Sequence, residues 1–239
     1  MIPPLIQSDD PVALFGGGEA SMADVEAVQA LARHFVAADG GAALTVQAGV
    51  ALDAVIGDFD SVSADVLAHI PLERQHHIAE QDSTDFDKAL RHISAPIVLA
   101  VGFLGGRVDH QLGCLSVLAR YPERACILLG QDEIVMLCPP RLDLPTLPGD
   151  VVSLVPLAPV QGTSIGLRWP IDGLQFDPIE RIGTSNEAEG PVSLTMKQPT
   201  MILIAPRRCL KPVTQALVQA LPDARWPARA ARCITPPQS

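Results

Sequence analysis

The chain has 239 residues, of which 48% are hydrophobic, and a formal net charge of −10. This hydrophobic content excludes a disordered chain and is enough to build a core in one large or two modest domains. The acidic balance argues against nucleic acid or an anionic membrane as the main partner, because both require a basic face. A small anionic substrate is compatible with it where a metal ion supplies positive charge.

We expect a cytoplasmic protein, because the sequence shows no targeting signal and its cysteines show no disulfide pattern. The N-terminal residues lack the basic segment of a secretory signal, and no apolar run approaches the roughly 20 residues that cross a bilayer. The five cysteines include no C-x-x-C pair, so neither a disulfide framework nor a zinc site is predicted. We expect them to be reduced, buried thiols.

Apolar runs and helical patterns alternate in the first half of the chain. Strands are predicted at residues 12–15, 35–38, 52–56, 97–103 and 125–129. Helices are predicted behind the capping residues Ser21, Ser63 and Thr84, and over residues 110–119. This alternation is typical of an α/β domain with a parallel, Rossmann-like sheet that is covered on both faces.

The pattern changes in the proline-rich stretch 139–149, which we interpret as a linker. Short β-like runs follow at 151–157, 166–169, 192–196 and 201–204, and a helical period returns at 213–221. These runs predict a smaller all-β, sandwich-like C-terminal domain. The expected divisions are 1–140, 148–206 and a C-terminal extension, 207–239, whose tail from Trp226 onward is expected to be loosely held.

Acidic residues and glycines cluster where the predicted parallel strands end. The acids in these loops are Asp39, Asp58, Asp60, Asp82, Asp85 and Asp109. Ligands of open parallel sheets bind outside the carboxyl ends of the strands, so these loops should converge on one crevice. Clustered carboxylates require a cation, and Mg²⁺ is the natural choice for hard oxygen ligands. With Lys88, Arg107 and glycine N–H groups available for phosphates, the loops predict a site for a polyphosphate with Mg²⁺.

Several features have more than one interpretation. The triplet of residues 16–18, Gly-Gly-Gly, is either a tight turn or a phosphate contact, and it is not a P-loop. His110 is either a phosphate or metal-water contact or part of a helix start. Trp169 is either β-domain core or a ligand contact, and Asp87 is expected to face solvent on its helix.

Five motifs occur together in a characteristic order. They are A-D-G-G-A at 38–42, G-D-F-D-S at 57–61, D-S-T-D-F-D-K-A-L at 82–90, G-G-R-V-D-H at 105–110 and G-T-S-N at 183–186. Together they resemble the thiamine pyrophosphokinase family, from about Val12 to about Ala205.

The resemblance implies an N-terminal α/β domain that binds ATP, a β-sandwich domain that helps bind thiamine, and a homodimer with sites near the subunit interface. The implied reaction transfers pyrophosphate from ATP to the hydroxyl of thiamine, giving thiamine diphosphate and AMP. Asp58, Asp60 and Asp85 would hold Mg²⁺.

The remaining implied site residues divide by the part of the substrates they would serve. The resemblance implies that a larger group of residues would contact or surround the phosphates and the nucleotide: Asp39, Gly40, Asp82, Thr84, Lys88, Arg107, Asp109 and His110. Ser185 and Asn186 would contact the pyrimidine ring of thiamine, and Trp169 would stack on the vitamin.

The sequence departs from the family pattern at two positions near the nucleotide. Ala43 and Cys114 stand where the family often has asparagine, which leaves the nucleotide preference open. Two other functions also remain open: a non-catalytic module that binds nucleotide or thiamine, and a phosphotransferase of the same fold that acts on another alcohol.

Overall fold

The computed structural model describes residues 3–221 and 224–229. In the first half, the strands are β1 (Ile6–Gln7), β2 (Val12–Phe15), β3 (His34–Ala38), β4 (Ala54–Gly57), β5 (Gln75–His77), β6 (Ile93–Ser94), β7 (Val98–Val101), β8 (Cys126–Leu129) and β9 (Glu133–Leu137). The later strands are β10 (Arg141–Leu144), β11 (Val151–Pro156), β12 (Val160–Leu167), β13 (Gln175–Phe176), β14 (Thr184–Met196) and β15 (Met201–Pro206). The α-helices are α1 (Met22–Gln29), α2 (Ala42–Gln47), α3 (Ala64–Leu67), α4 (Asp85–Arg91), α5 (Val108–Arg120) and α6 (Leu210–Gln219).

Six strands of the first half pair in parallel, in the order β8-β7-β2-β3-β4-β5. Every residue of β2, β4, β7 and β8 is buried, as expected for strands covered on both faces. Alternate residues of β2 enter two different cores: Phe15 packs into one, and Leu14 packs into the other. The order of these strands brings the loops after β2, β3, β4 and β7 to one edge of the sheet.

The predicted helix starts are confirmed by their caps. The Ser21 hydroxyl accepts a hydrogen bond from the Asp24 N–H, and the Asp24 carboxylate accepts one from the Ser21 N–H, which completes a capping box. The Ser63 and Thr84 hydroxyls cap α3 and α4 by accepting from the Val66 N–H and the Asp87 N–H, without the reciprocal bond. These interactions span three residues, so they are encoded locally in the sequence.

The sheet is mixed and continues into the C-terminal β region. β9 pairs antiparallel with β8 on one side and with β15 on the other, and β15 pairs with β11. β14 pairs with β11 through residues 184–187 and with β10 and β12 through residues 192–196, and it meets β12 again where Ala188 pairs with Leu167. One long strand therefore serves two groups of partners in the C-terminal β region.

The prediction of a linker at 139–149 is wrong in part, because β10 lies inside it. Leu142 and Leu144 are buried, whereas Arg141 and Asp143 are exposed, so β10 has the alternation of a half-buried strand. Leu142 pairs with Leu194 of β14, which is distant in sequence. The prolines on either side of the strand concealed this short pattern.

The prediction that Asp87 faces solvent is also wrong. Asp87 is 1% exposed, and its carboxylate accepts hydrogen bonds from the Arg120 guanidinium and from the Tyr121 hydroxyl, the latter at 2.8 Å. Helix α4 is thereby joined to the C-terminal end of α5.

The described part of the tail is anchored, contrary to the expectation of a loosely held segment. The Trp226 indole N–H donates to the Cys138 carbonyl oxygen at 2.8 Å, and Arg225 donates to the Pro96 carbonyl at 2.9 Å. Arg229 donates to the Ala119 carbonyl at 2.7 Å. The remaining residues of the tail, which include Cys233, lie outside the described residues, so the expectation is not tested there.

Cys114, Cys126, Cys138 and Cys209 are buried and free, as predicted for the described part of the chain. None of the helices that the structure describes is both long enough and apolar enough to cross a membrane.

Candidate functional site

A cavity of about 670 Å³ opens at the edge of the sheet where β2, β3, β4 and β7 end. Seven predicted site residues line it: Gly40, Asp58, Thr84, Asp85, Lys88, Arg107 and His110. The four strand-end loops therefore converge on one crevice, as the topology of a parallel sheet requires.

The glycine triplet after β2 forms one wall of the cavity. A Cβ on Gly16 would lie 2.6 Å from the Gly102 carbonyl oxygen, so the ends of β2 and β7 can approach this closely only without a side chain there. Gly17 differs, because a Cβ there would meet the Gly40 backbone only at ordinary contact distances, 3.5 Å and beyond. Gly16 thus has a packing role, whereas Gly17 and Gly40 present backbone to the cavity.

Asp39 is a buried carboxyl group beneath this wall. It is 1% exposed and has a positive φ of 41°, and it accepts hydrogen bonds from the Ser61 N–H at 3.3 Å and the Val62 N–H at 3.0 Å. Gly57 makes room for it, since a Cβ at that position would lie 2.8 Å from the Asp39 Cβ. The pKa of Asp39 is raised to about 6, first by burial and then by the negative charges of Asp85 and Asp60, against the lowering effect of the hydrogen bond from the Ser61 N–H.

Lys88 is a buried cation that joins two acids of the site. Its Nζ lies 2.7 Å from Asp58 Oδ2 and 3.2 Å from Asp85 Oδ1, and its side chain is 2% exposed. The hydrogen bond from Lys88 lowers the pKa of Asp58, whereas burial raises the pKa of Asp85. Helix α4 places Asp85 in its first turn and Lys88 three residues later, so both side chains reach the same side.

Three carboxylates lie close enough together to share one cation. Asp39, Asp58 and Asp60 each offer an oxygen atom, and the three atoms lie within 4.8 Å of one another. The resemblance implied Asp58, Asp60 and Asp85 as the metal ligands. Two of these, Asp58 and Asp60, belong to this group, whereas Asp85 is outside it and pairs with Lys88. Lys88 pairs with Asp58 and Asp85, and Asp39 and Asp60 lie close to Asp58. Acids therefore outnumber the one ammonium group in this cluster, and hard anionic oxygens fit the ligand preferences of Mg²⁺.

The other polar residues lie at or beyond the mouth of the cavity. Arg107 is largely exposed and forms an ion pair with Asp109 at 2.6 Å, in which the guanidinium lowers the pKa of Asp109 to about 2. Asp82 is exposed, and neither Asp82 nor Asp109 lines the cavity. Thr84 lines it while also capping α4.

The residues expected to contact thiamine lie in the C-terminal β region, and none of them lines this cavity. Trp169 is 53% exposed, and Ser185 is also exposed. Asn186 is buried, and its side-chain amide is hydrogen-bonded to the backbone of Trp169. Within one chain, the two groups of predicted site residues are therefore separate.

Several residues of the cavity wall were not predicted as site residues, among them Glu19, Ser83, Phe86 and Phe103. Glu19 directly follows the glycine triplet, and its position at a strand end was the available signal. Phe86 and Phe103 pack with ring centroids 4.6 Å apart, and their apolar character gave no indication of a ligand-facing wall. Cys114 also lines the cavity, and burial raises the pKa of its thiol to about 12.

Two sequence-family models match consecutive parts of the chain. The thiamin pyrophosphokinase catalytic domain matches residues 26–129, and the thiamin pyrophosphokinase vitamin B1 binding domain matches residues 138–201.

Curated relatives and solved structures agree with these matches. Thiamine pyrophosphokinase 1 of Arabidopsis thaliana is 33% identical over 156 residues, which span 56% of this chain and 57% of that protein. A homologue of Caenorhabditis elegans, thiamin pyrophosphokinase 1, is 25% identical over 56% of this chain and 61% of its own length.

Among solved structures, thiamin pyrophosphokinase of Geobacillus thermodenitrificans superposes with a TM-score of 0.71 at 22% identity, covering 82% of this chain and 97% of that one. The yeast enzyme gives 0.67 at 15% identity, covering 91% and 90%. These structures share the fold of a large mixed sheet with a C-terminal β region, and the two family models together span both parts. The chain belongs to the thiamine pyrophosphokinase family.

Proposed function

We propose that this protein transfers pyrophosphate from ATP to the hydroxyl group of thiamine, giving thiamine diphosphate and AMP. The observation that carries the proposal is the cavity at the strand ends, where Asp58 and Asp85 flank the buried Lys88 beside Asp39 and Asp60. The family matches, which include a vitamin B1 binding domain, support thiamine as the acceptor.

In this proposal, Asp39, Asp58 and Asp60 hold Mg²⁺, and the cavity holds the phosphates of ATP. The ion, when bound, neutralises charge on the transferred pyrophosphate. Lys88 fixes the orientation of Asp58 and Asp85 through its two ion pairs. Phosphate oxygens can approach the main chain of Gly17 and Gly40 closely, because neither residue places a side chain in the cavity. The Arg107 guanidinium binds a phosphate oxygen in place of its present partner, the Asp109 carboxylate.

The oxygen of the thiamine hydroxyl attacks the β-phosphorus of ATP. The bond between the β-phosphorus and the oxygen that bridges it to the α-phosphorus breaks, and AMP leaves. The hydroxyl proton must go to a base, for which the sequence left Asp58 and Asp85 as candidates. Asp85 is the better candidate, because its pKa is raised by burial, whereas the pKa of Asp58 is lowered by Lys88. Positioning and charge neutralisation supply the remaining catalysis.

We further propose residues 1–140 as a Rossmann-like ATP-binding unit, residues 148–206 as a sandwich-like thiamine-binding unit and residues 207–239 as an extension. The parallel pairing of six strands and the pairing of β14 with two groups of partners support this division. The separation of Trp169 from the cavity supports a homodimer whose sites are completed across the interface. The four buried free thiols support a cytoplasmic location.

The test is incubation of the purified chain with ATP, Mg²⁺ and thiamine, with AMP and thiamine diphosphate quantified by chromatography. Asp58→Asn and Asp85→Asn are expected to lose activity by about 10²-fold or more, because each removes a charge from the reacting centre. Asp65→Asn, on the exposed surface of α3, is the matched control and should retain activity.

The same assay separates the other candidate functions. Tight binding of ATP or thiamine without AMP would support a non-catalytic module, and AMP formed only with another alcohol would support a different phosphotransferase. Near-normal AMP production by both variants would contradict the assigned site.

A further inference from the structure

Trp169 lies just after β12, where the regular strand pairing has ended. Its indole is about half exposed, and the next residue is Pro170. A large aromatic ring outside a strand has no backbone ladder to orient it, so something else must hold its main chain.

The side chain of Asn186 supplies that hold. Its Oδ1 accepts from the Trp169 N–H at 3.2 Å, and its Nδ2 donates to the Trp169 carbonyl oxygen at 2.7 Å. Oδ1 also accepts from the Glu187 N–H at 2.9 Å. A side-chain amide thus takes the place of the neighbouring strand and satisfies both polar groups of one residue's backbone.

The Asn186 side chain is buried, so its amide is confined to hydrogen bonds within the protein. Asn186 is 2% exposed, so its amide meets the main chain of Trp169 rather than the solvent-facing surface. Ser185, the residue before it, is exposed, as expected for neighbours on a β-strand. A ligand that stacks on the indole meets the exposed side chain of Trp169, whereas the buried amide of Asn186 is already bonded to the Trp169 backbone.

One face of the indole is already covered. The Arg168 guanidinium carbon lies 5.0 Å from the ring centroid, and Arg168 Nη1 lies 3.2 Å from each carboxylate oxygen of Glu187. Glu187 thereby both restrains Arg168 and offsets its charge. The ring therefore offers its opposite face to a flat ligand.

We propose that Asn186 is a positioning residue that acts through Trp169: it fixes the main chain beneath the indole, so that the face left open by Arg168 receives the aromatic ring of the acceptor. This rests on the proposed function, since it takes the C-terminal β region as the acceptor side. It differs from a direct contact between Asn186 and the substrate.

The test separates movement of the indole from loss of a substrate contact. The sequence has two tryptophans, so Trp226→Phe leaves Trp169 as the only tryptophan, whose emission is followed by selective excitation. In this background, we compare Asn186→Ala with Asn186→Asp, which keeps the acceptor atoms but loses the donor. Ser193→Ala is the control, because Ser193 lies on the same strand and bonds to Asp143 instead.

Without substrates, Asn186→Ala is expected to lower the fluorescence anisotropy of Trp169, with a smaller fall for Asn186→Asp and none for the control. The KM for thiamine should rise about tenfold in Asn186→Ala, the loss expected from one or two hydrogen bonds, while the KM for ATP stays unchanged. The circular dichroism spectrum of each variant establishes that it is folded.

A raised thiamine KM with unchanged Trp169 anisotropy would overturn the proposal, because it would indicate direct contact between Asn186 and substrate. Unchanged anisotropy and an unchanged KM would also overturn it. The anisotropy measurement needs no turnover, so a protein that makes no thiamine diphosphate in any form would refute the proposed function, while the anisotropy would still decide whether Asn186 holds Trp169.

Discussion

At the scale of single residues, Asp39 is a buried acid whose pKa departs clearly from its ordinary value. Its pKa rises from 3.8 to about 6, mainly because its carboxyl group is buried. A raised carboxyl pKa means that the folded protein holds the proton more tightly than the unfolded chain does. In the absence of metal, the resulting stabilisation is full below about pH 4 and is lost as the pH rises through about 6.

Mg²⁺ reverses this preference, because it binds the ionised carboxylate. At pH 5 the ion must displace the Asp39 proton, which should weaken its affinity roughly tenfold relative to pH 7.5. The rise in melting temperature on adding Mg²⁺ should therefore be clearly larger at pH 7.5, as measured by differential scanning fluorimetry. Asp39→Asn should abolish most of this difference, and an equal rise at both pH values in the unaltered chain would contradict a shared cation site.

At the scale of elements, the contact between α4 and α5 depends on Asp87. Asp87→Ala removes the buried carboxylate that accepts bonds from both Arg120 and Tyr121, but the Arg120 side chain is 58% exposed and can bond to water instead, so the free energy of unfolding should fall by about 1 to 2 kcal/mol. Tyr121→Phe removes one hydrogen bond and should cost about 1 kcal/mol. Urea denaturation measures both, with the exposed Asp65→Ala as control. A loss from Asp87→Ala no larger than that of the control would refute a structural role.

Local chemistry explains which elements could be predicted. Ser21 and Thr84 act within their own helices, so the starts of α1 and α4 were evident from the sequence. The strand-end acids Asp58 and Asp85 were likewise evident, because strand order alone brings such loops together.

Long-range partners explain what was missed. β10 exists because Leu142 meets Leu194, and Asp87 is buried because Arg120 and Tyr121 lie on another helix. The grouping of Asp39 with Asp58 and Asp60 also depends on distances that spacing along the chain does not contain.

At the scale of the whole molecule, the proposed homodimer makes a specific prediction for mixed subunits. Asp58→Asn impairs the cavity, and Trp169→Ala impairs the β region, so each variant alone should be nearly inactive. If a site combines the cavity of one subunit with the β region of the other, each mixed dimer contains one intact site. An equilibrated equimolar mixture should then recover about a quarter of the unaltered activity.

The control is a mixture of Asp58→Asn with Asp85→Asn, which alters the same half of the site in both subunits and should recover nothing. Recovery in neither mixture, with dimers confirmed by light scattering, would place each complete site within a single chain.

The position of β9 in the sheet has a consequence for synthesis on the ribosome. Its edge is covered only by β15, which emerges much later, and four of its five residues are buried in the finished fold. Until then a nascent chain carries an open, apolar strand edge, which is a template for aggregation. Residues 1–140 expressed alone should therefore accumulate in inclusion bodies, whereas residues 1–229 should remain in the supernatant.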